Sequence, residues 1–157
     1  MKNRRWKPYL LWIAGVEGAG ALFGWLTRAG AQVYKTEIVK PPLSPPSAVF
    51  PVVWAVLFAL MGIGAARISL APASYARSVS LRLFLVQLGF NLLWSVIFFN
   101  LQRYGFALIW LAALWVLILW MILSFRRVDQ PAAWLQVPYL LWVSFAAYLN
   151  LGVWILN

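Results

Sequence analysis

Residues 105–125 read GFALIWLAALWVLILWMILSF and contain no charged side chain. A helix that crosses the hydrocarbon core of a bilayer needs roughly 20 mostly apolar residues, so this stretch predicts a transmembrane helix. Four further apolar stretches of similar length lie before and after it in the chain, at residues 8–28, 48–69, 80–101 and 131–155. The sequence therefore predicts an all-α membrane protein, a bundle of five transmembrane helices that forms a single domain over residues 1–157.

The charges of the chain separate its apolar stretches. The net charge is +10, but a nucleic-acid-binding protein gathers its Lys and Arg on one soluble face or arm, so we expect no nucleic-acid partner. Nine basic residues fall on the N-terminal side of the predicted bundle: Lys2, Arg4, Arg5, Lys7, Arg67, Arg77, Arg82, Arg126 and Arg127. Four fall on the other side: Arg28, Lys35, Lys40 and Arg103. The positive-inside rule then predicts a cytoplasmic N-terminus, and we expect a multi-pass protein of a bacterial cell membrane.

The composition excludes several classes of chemistry. Cys and His are both absent, which removes disulfides, thiol redox chemistry, the common zinc ligands and the common axial haem ligands. Catalysis by a histidine base is excluded as well. The only carboxylates are Glu17, Glu37 and Asp129. We therefore expect no metal site and no obligatory cofactor.

A proline-rich segment follows the first apolar stretch. Gly30 suits the position just past a helix end, so the first helix is predicted to stop there and residues 30–47 to form a loop. Residues 40–46 read KPPLSPP, a run that cannot be helical and favours the stiff polyproline II conformation. The loop is predicted to be either a lid over one mouth of the bundle or a rigid spacer.

Aromatic and polar residues recur at helical spacing inside three of the predicted spans. Residues three or four apart share a helix face, and mid-membrane polar groups face a bundle interior because lipid offers them no partner. The faces comprise Trp54, Phe58 and Met61; Gln87, Asn91 and Ser95 beside Trp94; and Trp142, Ala146 and Asn150. They predict a pocket with aromatic walls that suits a flat, largely apolar ligand. The alternative is that the amides only join helices.

Three single features of the spans carry further expectations. Glu17 lies inside a predicted span, where a carboxylate is expensive and indicates a functional site; the alternative is a protonated side chain that is hydrogen-bonded across the bundle. Gly20 and Gly24 form a GxxxG pair, which allows close packing of the first helix inside the bundle or in a dimer. Pro138 is predicted to kink the last helix one turn before Trp142.

Four ordered motifs resemble the translocator protein family, also called tryptophan-rich sensory proteins (TspO/MBR, the peripheral benzodiazepine receptor). They are Tyr34 with the loop KPPLSPP (40–46), VFPVVW (49–54) with LMG (60–62), QLGFNLLW (87–94) with IFF (97–99), and PYLLWVSFA (138–146) with LN (149–150). The sequence departs from the family pattern at Leu43, where the loop usually has Trp, and at Val33, where an aromatic residue often precedes the tyrosine. Either departure is expected to alter closure of the loop.

The resemblance implies a five-helix bundle whose first loop closes a pocket for porphyrins and synthetic benzodiazepine-type ligands. Carried onto this sequence, the pocket comprises Tyr34, Pro45, Trp54, Phe58, Asn91, Trp94, Trp142 and Ala146, and the helical spacing adds Gln87. The implied role is tetrapyrrole or stress sensing. Two alternatives stay open: light-dependent porphyrin degradation, with Trp54 and Trp142 as catalytic residues, and transport of a tetrapyrrole, lipid or sterol. A homodimer is also expected from the resemblance, with membrane lipid as the surrounding partner.

Overall fold

The computed structural model describes residues 5–157, and every regular element in this range is helical. The elements are α1 (Trp6–Leu26), α2 (Arg28–Thr36), α3 (Val49–Ser69), α4 (Tyr75–Ser95) with a π-helical turn (Val96–Asn100), α5 (Tyr104–Val128), α6 (Gln130–Trp134) and α7 (Val137–Leu156). Of the basic residues counted above, Lys2 and Arg4 lie outside the described residues.

Five of these helical segments are long and apolar enough to cross a membrane, which confirms the predicted bundle. Three match single helices, namely α1, α3 and α5, and two are composite: Tyr75–Asn100 joins α4 to the π-turn, and Gln130–Leu156 joins α6 to α7. The third span begins earlier than predicted because Ser74 caps α4, its side chain accepting a hydrogen bond from the Arg77 backbone N–H at 3.1 Å. Such a cap satisfies one of the free N–H groups at a helix start.

The prediction for the end of the first helix and the start of the loop was wrong. α1 ends at Leu26, Thr27 interrupts the helix with φ −102° and ψ 7°, and α2 then continues through Gly30 to Thr36. Gly30 is needed for its size, because a Cβ there would overlap the carbonyl group of Phe99. α2 therefore lies directly against the π-turn, and the segment between α2 and α3 is only residues 37–48.

The proline-rich loop is held against the C-terminal half of α7. Pro41 is buried, and its Cγ lies 2.5 Å from where a Cβ on Gly152 would be. The Tyr148 hydroxyl donates to the Pro42 carbonyl at 2.7 Å, and the Asn157 side chain exchanges two hydrogen bonds with the Val39 backbone at 2.8 and 3.1 Å. These contacts give the loop a defined position.

Leu43 lies at the exposed tip of this loop. It has φ 69° and an 82% exposed side chain. A residue with a Cβ adopts this left-handed conformation at a cost of roughly 1–2 kcal/mol. Leu43, which replaces the usual Trp of the family pattern, therefore contributes little packing to the loop.

The last span is interrupted just before Pro138, and the interruption is a break between two helices where a kink was predicted. α6 ends at Trp134, and α7 begins at Val137 with Pro138 in its first turn. A proline is tolerated there because its missing N–H would have no partner within the helix. Gln136 lies buried at the break, where its Nε2 donates to the Leu60 carbonyl of α3 at 3.2 Å.

The core lies among α3, α4, α5 and α7, while α1 is peripheral. Large side chains such as Phe84, Ile118, Met121 and Tyr139 are fully buried in this core. On α1 only Val16 is buried, and this helix packs mainly along α3. Because α1 packs mainly against one neighbour, space is left beside it, which is where the cavity described below is found.

An ion pair closes the end of the bundle opposite the proline-rich loop. Arg67 of α3 donates to both oxygens of Asp129, from Nε at 2.6 Å and from Nη2 at 3.2 Å. Asp129 also caps α6, since its Oδ2 accepts from the Ala132 N–H at 3.0 Å. The hydrogen bond from Arg67 lowers the pKa of Asp129, against the opposing effect of partial burial.

We expect this pair to make stability pH-dependent at low pH. A carboxylate with a lowered pKa contributes stability that is present above its unfolded pKa, about 3.9, and is lost as the pH falls through the folded value. Because the pair is partly exposed, the loss should be about 0.2–1 kcal/mol. Asp129→Asn, which keeps a capping side chain, should remove this pH dependence from unfolding measured in detergent. Glu37→Gln is the control, and its free energy of unfolding should keep the pH dependence of the wild type. The assignment to Asp129 would be contradicted if Asp129→Asn showed the same pH dependence as Glu37→Gln.

Candidate ligand-binding site

A cavity of about 460 Å³ lies inside the bundle at the end closest to the proline-rich loop. Its walls come from α1, α3, α4 and α7, and α2 and the π-turn line it at the loop end. Ligand pockets in proteins typically have volumes of about 300–1,000 Å³. The cavity is therefore large enough for a small organic ligand.

Most of the residues predicted for the site line this one cavity. Seven of them do so: Tyr34, Trp54, Phe58, Asn91, Trp94, Trp142 and Ala146. Gln87 and Pro45 do not belong to the lining. Gln87 lies one turn before Asn91 and is fully buried in the core, and Pro45 lies in the loop segment. Gln87 lies outside the lining because its face of α4 extends beyond the cavity, and Pro45 lies outside because the loop does.

Aromatic rings form much of the wall. The Phe50 and Trp142 rings lie 6.0 Å apart at 69°, and the Trp54 and Phe58 rings lie 5.4 Å apart at 32°. At the loop end the Tyr34 ring contacts Phe98 and Phe99, each with its centroid 5.7 Å away. Aromatic faces bind flat apolar molecules by stacking and by burial of area. The cavity walls thus suit a planar ligand.

The amides of α4 have two different roles. The Tyr139 hydroxyl donates to Gln87 Oε1 at 2.7 Å and accepts from Asn91 Nδ2 at 2.7 Å. Gln87 therefore joins α4 to α7, as the alternative interpretation of the amides predicted. Asn91 also reaches the cavity, and its carbonyl oxygen accepts no hydrogen bond from any residue within 5–157. That oxygen is available to a ligand.

Asn150, at the loop end of α7, is held by two hydrogen bonds. Its Oδ1 accepts from Trp94 Nε1 at 3.1 Å, and its Nδ2 donates to the Tyr104 carbonyl at 2.8 Å. Both bonds connect α7 to other elements of the bundle. They position the Trp94 ring, which stacks on Phe98 with the centroids 5.0 Å apart. Asn150 thus orients part of the aromatic wall.

Some lining residues were missed from the sequence. Phe50 lies one turn before Trp54 on α3, so the four-residue spacing carried a signal that could have found it. Phe99 also lines the cavity, next to Phe98. Neighbouring residues of an α-helix point about 100° apart, and the local π-helical turn, which changes this spacing, was not recognised in the sequence.

The ionisable groups at the cavity are unevenly distributed. Among residues 5–157, no Lys or Arg lines the cavity, and Glu17 of α1 is the one carboxylate that does. A basic group at the loop end is Lys40, whose Nζ lies 5.0 Å from the centre of the Tyr34 ring and donates to the Lys35 carbonyl at 3.0 Å. One carboxylate therefore borders the cavity, and one basic side chain lies beside Tyr34 at its loop end.

Comparison with known proteins agrees with this architecture. The sequence profile of the TspO/MBR family matches residues 12–155. The chain belongs to the TspO/MBR family. The family assignment made from the four motifs is thereby confirmed.

Relatives within the TspO/MBR family come from distant organisms. The chain is 41% identical over 140 residues to the tryptophan-rich protein TspO of Chlorobaculum tepidum, covering 88% of this chain and 87% of that protein. It is 32% identical over 155 residues to the tryptophan-rich sensory protein of Cereibacter sphaeroides, covering 99% and 94%. It is 32% identical over 137 residues to the translocator protein of Bos taurus, covering 86% and 81%.

Proposed function

We propose that this TspO/MBR membrane protein binds a tetrapyrrole, or a similarly flat synthetic ligand of the benzodiazepine type, and acts as a sensor of it. The observation that carries the proposal is the aromatic-walled cavity of about 460 Å³ beneath the loop end of the bundle. The names of its relatives, tryptophan-rich sensory protein and translocator protein, support ligand recognition of this kind.

Binding would use two aromatic pairs of the cavity wall, one within α3 and one between α3 and α7. The faces of Trp54 with Phe58 and of Trp142 with Phe50 offer stacking surfaces to a planar macrocycle. Aromatic pairs contribute about 0.5–1.5 kcal/mol each beyond the area that they bury. The free carbonyl oxygen of Asn91 would orient the ligand through one hydrogen bond.

Ligand carboxylates would lie at the loop end. The hydrocarbon interior does not accept an unpaired charge, and Lys40 lies beside Tyr34 at that end. The loop that carries Lys40 is attached to α7 by Tyr148 and Gly152. Since α7 also provides Trp142 and Ala146, the loop and one cavity wall would respond to a ligand together.

We expect protoporphyrin to quench tryptophan fluorescence saturably when it is titrated in the dark into the purified protein in detergent. Trp142→Ala removes one stacking surface and should weaken binding at least about tenfold, or 1.4 kcal/mol. Trp120→Ala is the matched control, because Trp120 lies on α5 outside the cavity and is 57% exposed. Its affinity should equal that of the wild type.

Two outcomes would contradict the proposal: no saturable quenching in the wild type, or equal losses of affinity in the two alanine variants.

Illumination of the bound complex tests the alternative of porphyrin degradation, for which the cavity positions of Trp54 and Trp142 are the supporting observation. A bilin-like absorbance band that is lost in the double variant Trp54→Phe, Trp142→Phe would favour the enzyme. Porphyrin or lipid flux in liposomes would favour transport.

We also propose that the protein resides in a bacterial cell membrane with its N-terminus in the cytoplasm. The bacterial origin of two relatives supports a bacterial cell membrane as the location. The orientation stays a prediction from the charge distribution. Arg5 and Arg67 lie together at the end of the bundle opposite the proline-rich loop, which supports counting them on the same side of the membrane. Homodimer formation likewise stays a prediction.

A further inference from the structure

Glu17 lies at the deep end of the cavity. The residues of α1 that line it include Glu17, Gly20, Gly24 and the following Thr27. An α-helix rises 1.5 Å per residue, so Glu17 is about 15 Å farther from the loop end than Thr27. It is also near the middle of the span Trp6–Leu26, which places its carboxyl group at mid-membrane depth.

The Glu17 carboxyl group has no protein partner in the described part of the chain. Within residues 5–157 it forms neither a hydrogen bond nor a salt bridge, so the cross-bundle hydrogen bond that the sequence also allowed is not present there. Its side chain is only partly buried, and it borders the cavity. A carboxyl group at this depth without a protein partner is available to a ligand.

Two aromatic rings line the same cavity about one helical turn from Glu17. Gly20, one turn after Glu17 on the same face of α1, packs directly on Phe58: a Cβ on Gly20 would lie 2.6 Å from Phe58 Cδ2. The Phe58 ring is in turn paired with Trp54 at 5.4 Å. Aromatic faces attract cations, and organic ammonium groups are bound in this way in proteins. A carboxylate in the same apolar space strengthens that attraction, because the dielectric constant is low there.

We propose that the deep end of the cavity is a cation subsite, in which Glu17 and the faces of Phe58 and Trp54 bind a positively charged nitrogen group on a flat aromatic ligand. This inference rests on the proposed function, because it takes the cavity as the ligand site. It also sets the orientation of a ligand that carries both charges: its carboxylates face the loop end near Lys40, and its cationic nitrogen group faces Glu17. Glu17 is then a specificity-determining residue.

The test uses two planar probes of the same shape and different charge. 10-Methylacridinium is a permanent cation, and 9-methylanthracene is its neutral counterpart. Affinities are compared between variants for each probe, so that partitioning into detergent cancels. Glu17→Gln should weaken binding of 10-methylacridinium at least about tenfold and change that of 9-methylanthracene by less than about twofold. Glu37→Gln makes the same change in charge at an exposed residue outside the cavity, and it should affect neither probe.

Glu17→Ala is a second variant, included in case Glu17→Gln does not fold. It should show the same selective loss of affinity for 10-methylacridinium. Unchanged affinity for the cation in the Glu17 variants, or equal losses for the two probes, would overturn the cation subsite. That result would leave the proposed function intact if Trp142→Ala still weakened binding of protoporphyrin. Failure of the proposed function is distinct, since protoporphyrin would then not bind saturably to the wild type.

Discussion

Gly30→Ala is expected to destabilise the protein by about 2–3 kcal/mol, because the new methyl group would collide with backbone and not with a movable side chain. Its Cβ would overlap the Phe99 carbonyl oxygen and lie 2.5 Å from the carbonyl carbon. Overpacking of this kind typically costs about 1–3 kcal/mol. The collision could be relieved only by moving α2 away from the π-turn, which would also displace Tyr34 from the cavity.

Gly18→Ala is the matched control for this prediction. Gly18 lies on α1 with no heavy atom within 4 Å of a Cβ placed there. Alanine has a higher helix propensity than glycine by up to about 1 kcal/mol, so Gly18→Ala should be neutral or stabilising. Unfolding by a denaturing detergent from mixed micelles measures both variants. Equal free energies of unfolding for Gly30→Ala and Gly18→Ala would mean that α2 does not pack against Phe99.

Tyr139→Phe is expected to lower the free energy of unfolding by about 2–3 kcal/mol. The hydroxyl of this fully buried residue donates to Gln87 and accepts from Asn91, with both hydrogen bonds at 2.7 Å. Its removal leaves Gln87 Oε1 without a donor in a site closed to water, and a buried polar group without a partner costs about 1–3 kcal/mol. Gln87 Nε2 is already without a partner among the described residues, so the amide cannot compensate.

The double variant Gln87→Met, Tyr139→Phe separates loss of the hydrogen bond from loss of packing. It removes the polar group that Tyr139→Phe leaves unsatisfied, so it should recover part of the lost stability. Tyr75→Phe is the surface control, because Tyr75 is 82% exposed and should tolerate the change within about 0.5 kcal/mol. A Tyr139→Phe variant as stable as Tyr75→Phe would show that the buried network contributes nothing.

Asn91 connects this network to the cavity. It contacts Tyr139 through Nδ2 and lines the cavity, so Tyr139→Phe would also free the Asn91 side chain to turn. Affinity for protoporphyrin should therefore fall in Tyr139→Phe, and less than in Trp142→Ala, because the aromatic walls remain. A hydrogen-bond network in the core thus fixes the orientation of the Asn91 amide at the cavity wall.

The amino-acid sequence by itself determined the membrane architecture and part of the aromatic wall. Both depend on local properties: length and hydrophobicity predict a spanning helix, and helical spacing predicts which side chains share a face. Trp54 with Phe58, Trp94, and Trp142 with Ala146 line the cavity from faces that could be identified in this way. The four sequence motifs were sufficient to identify the family.

Tertiary structure alone decided what each of these residues contacts. Gly30 has the appearance of a helix end, yet it is a point of close approach between α2 and the π-turn. Gln87 and Asn91 share one face of α4, yet only Asn91 reaches the cavity. Glu17 borders the cavity without a protein partner in the described range because α1 packs mainly along α3. These outcomes depend on distances between helices that are remote in sequence, and spacing along one helix does not contain that information.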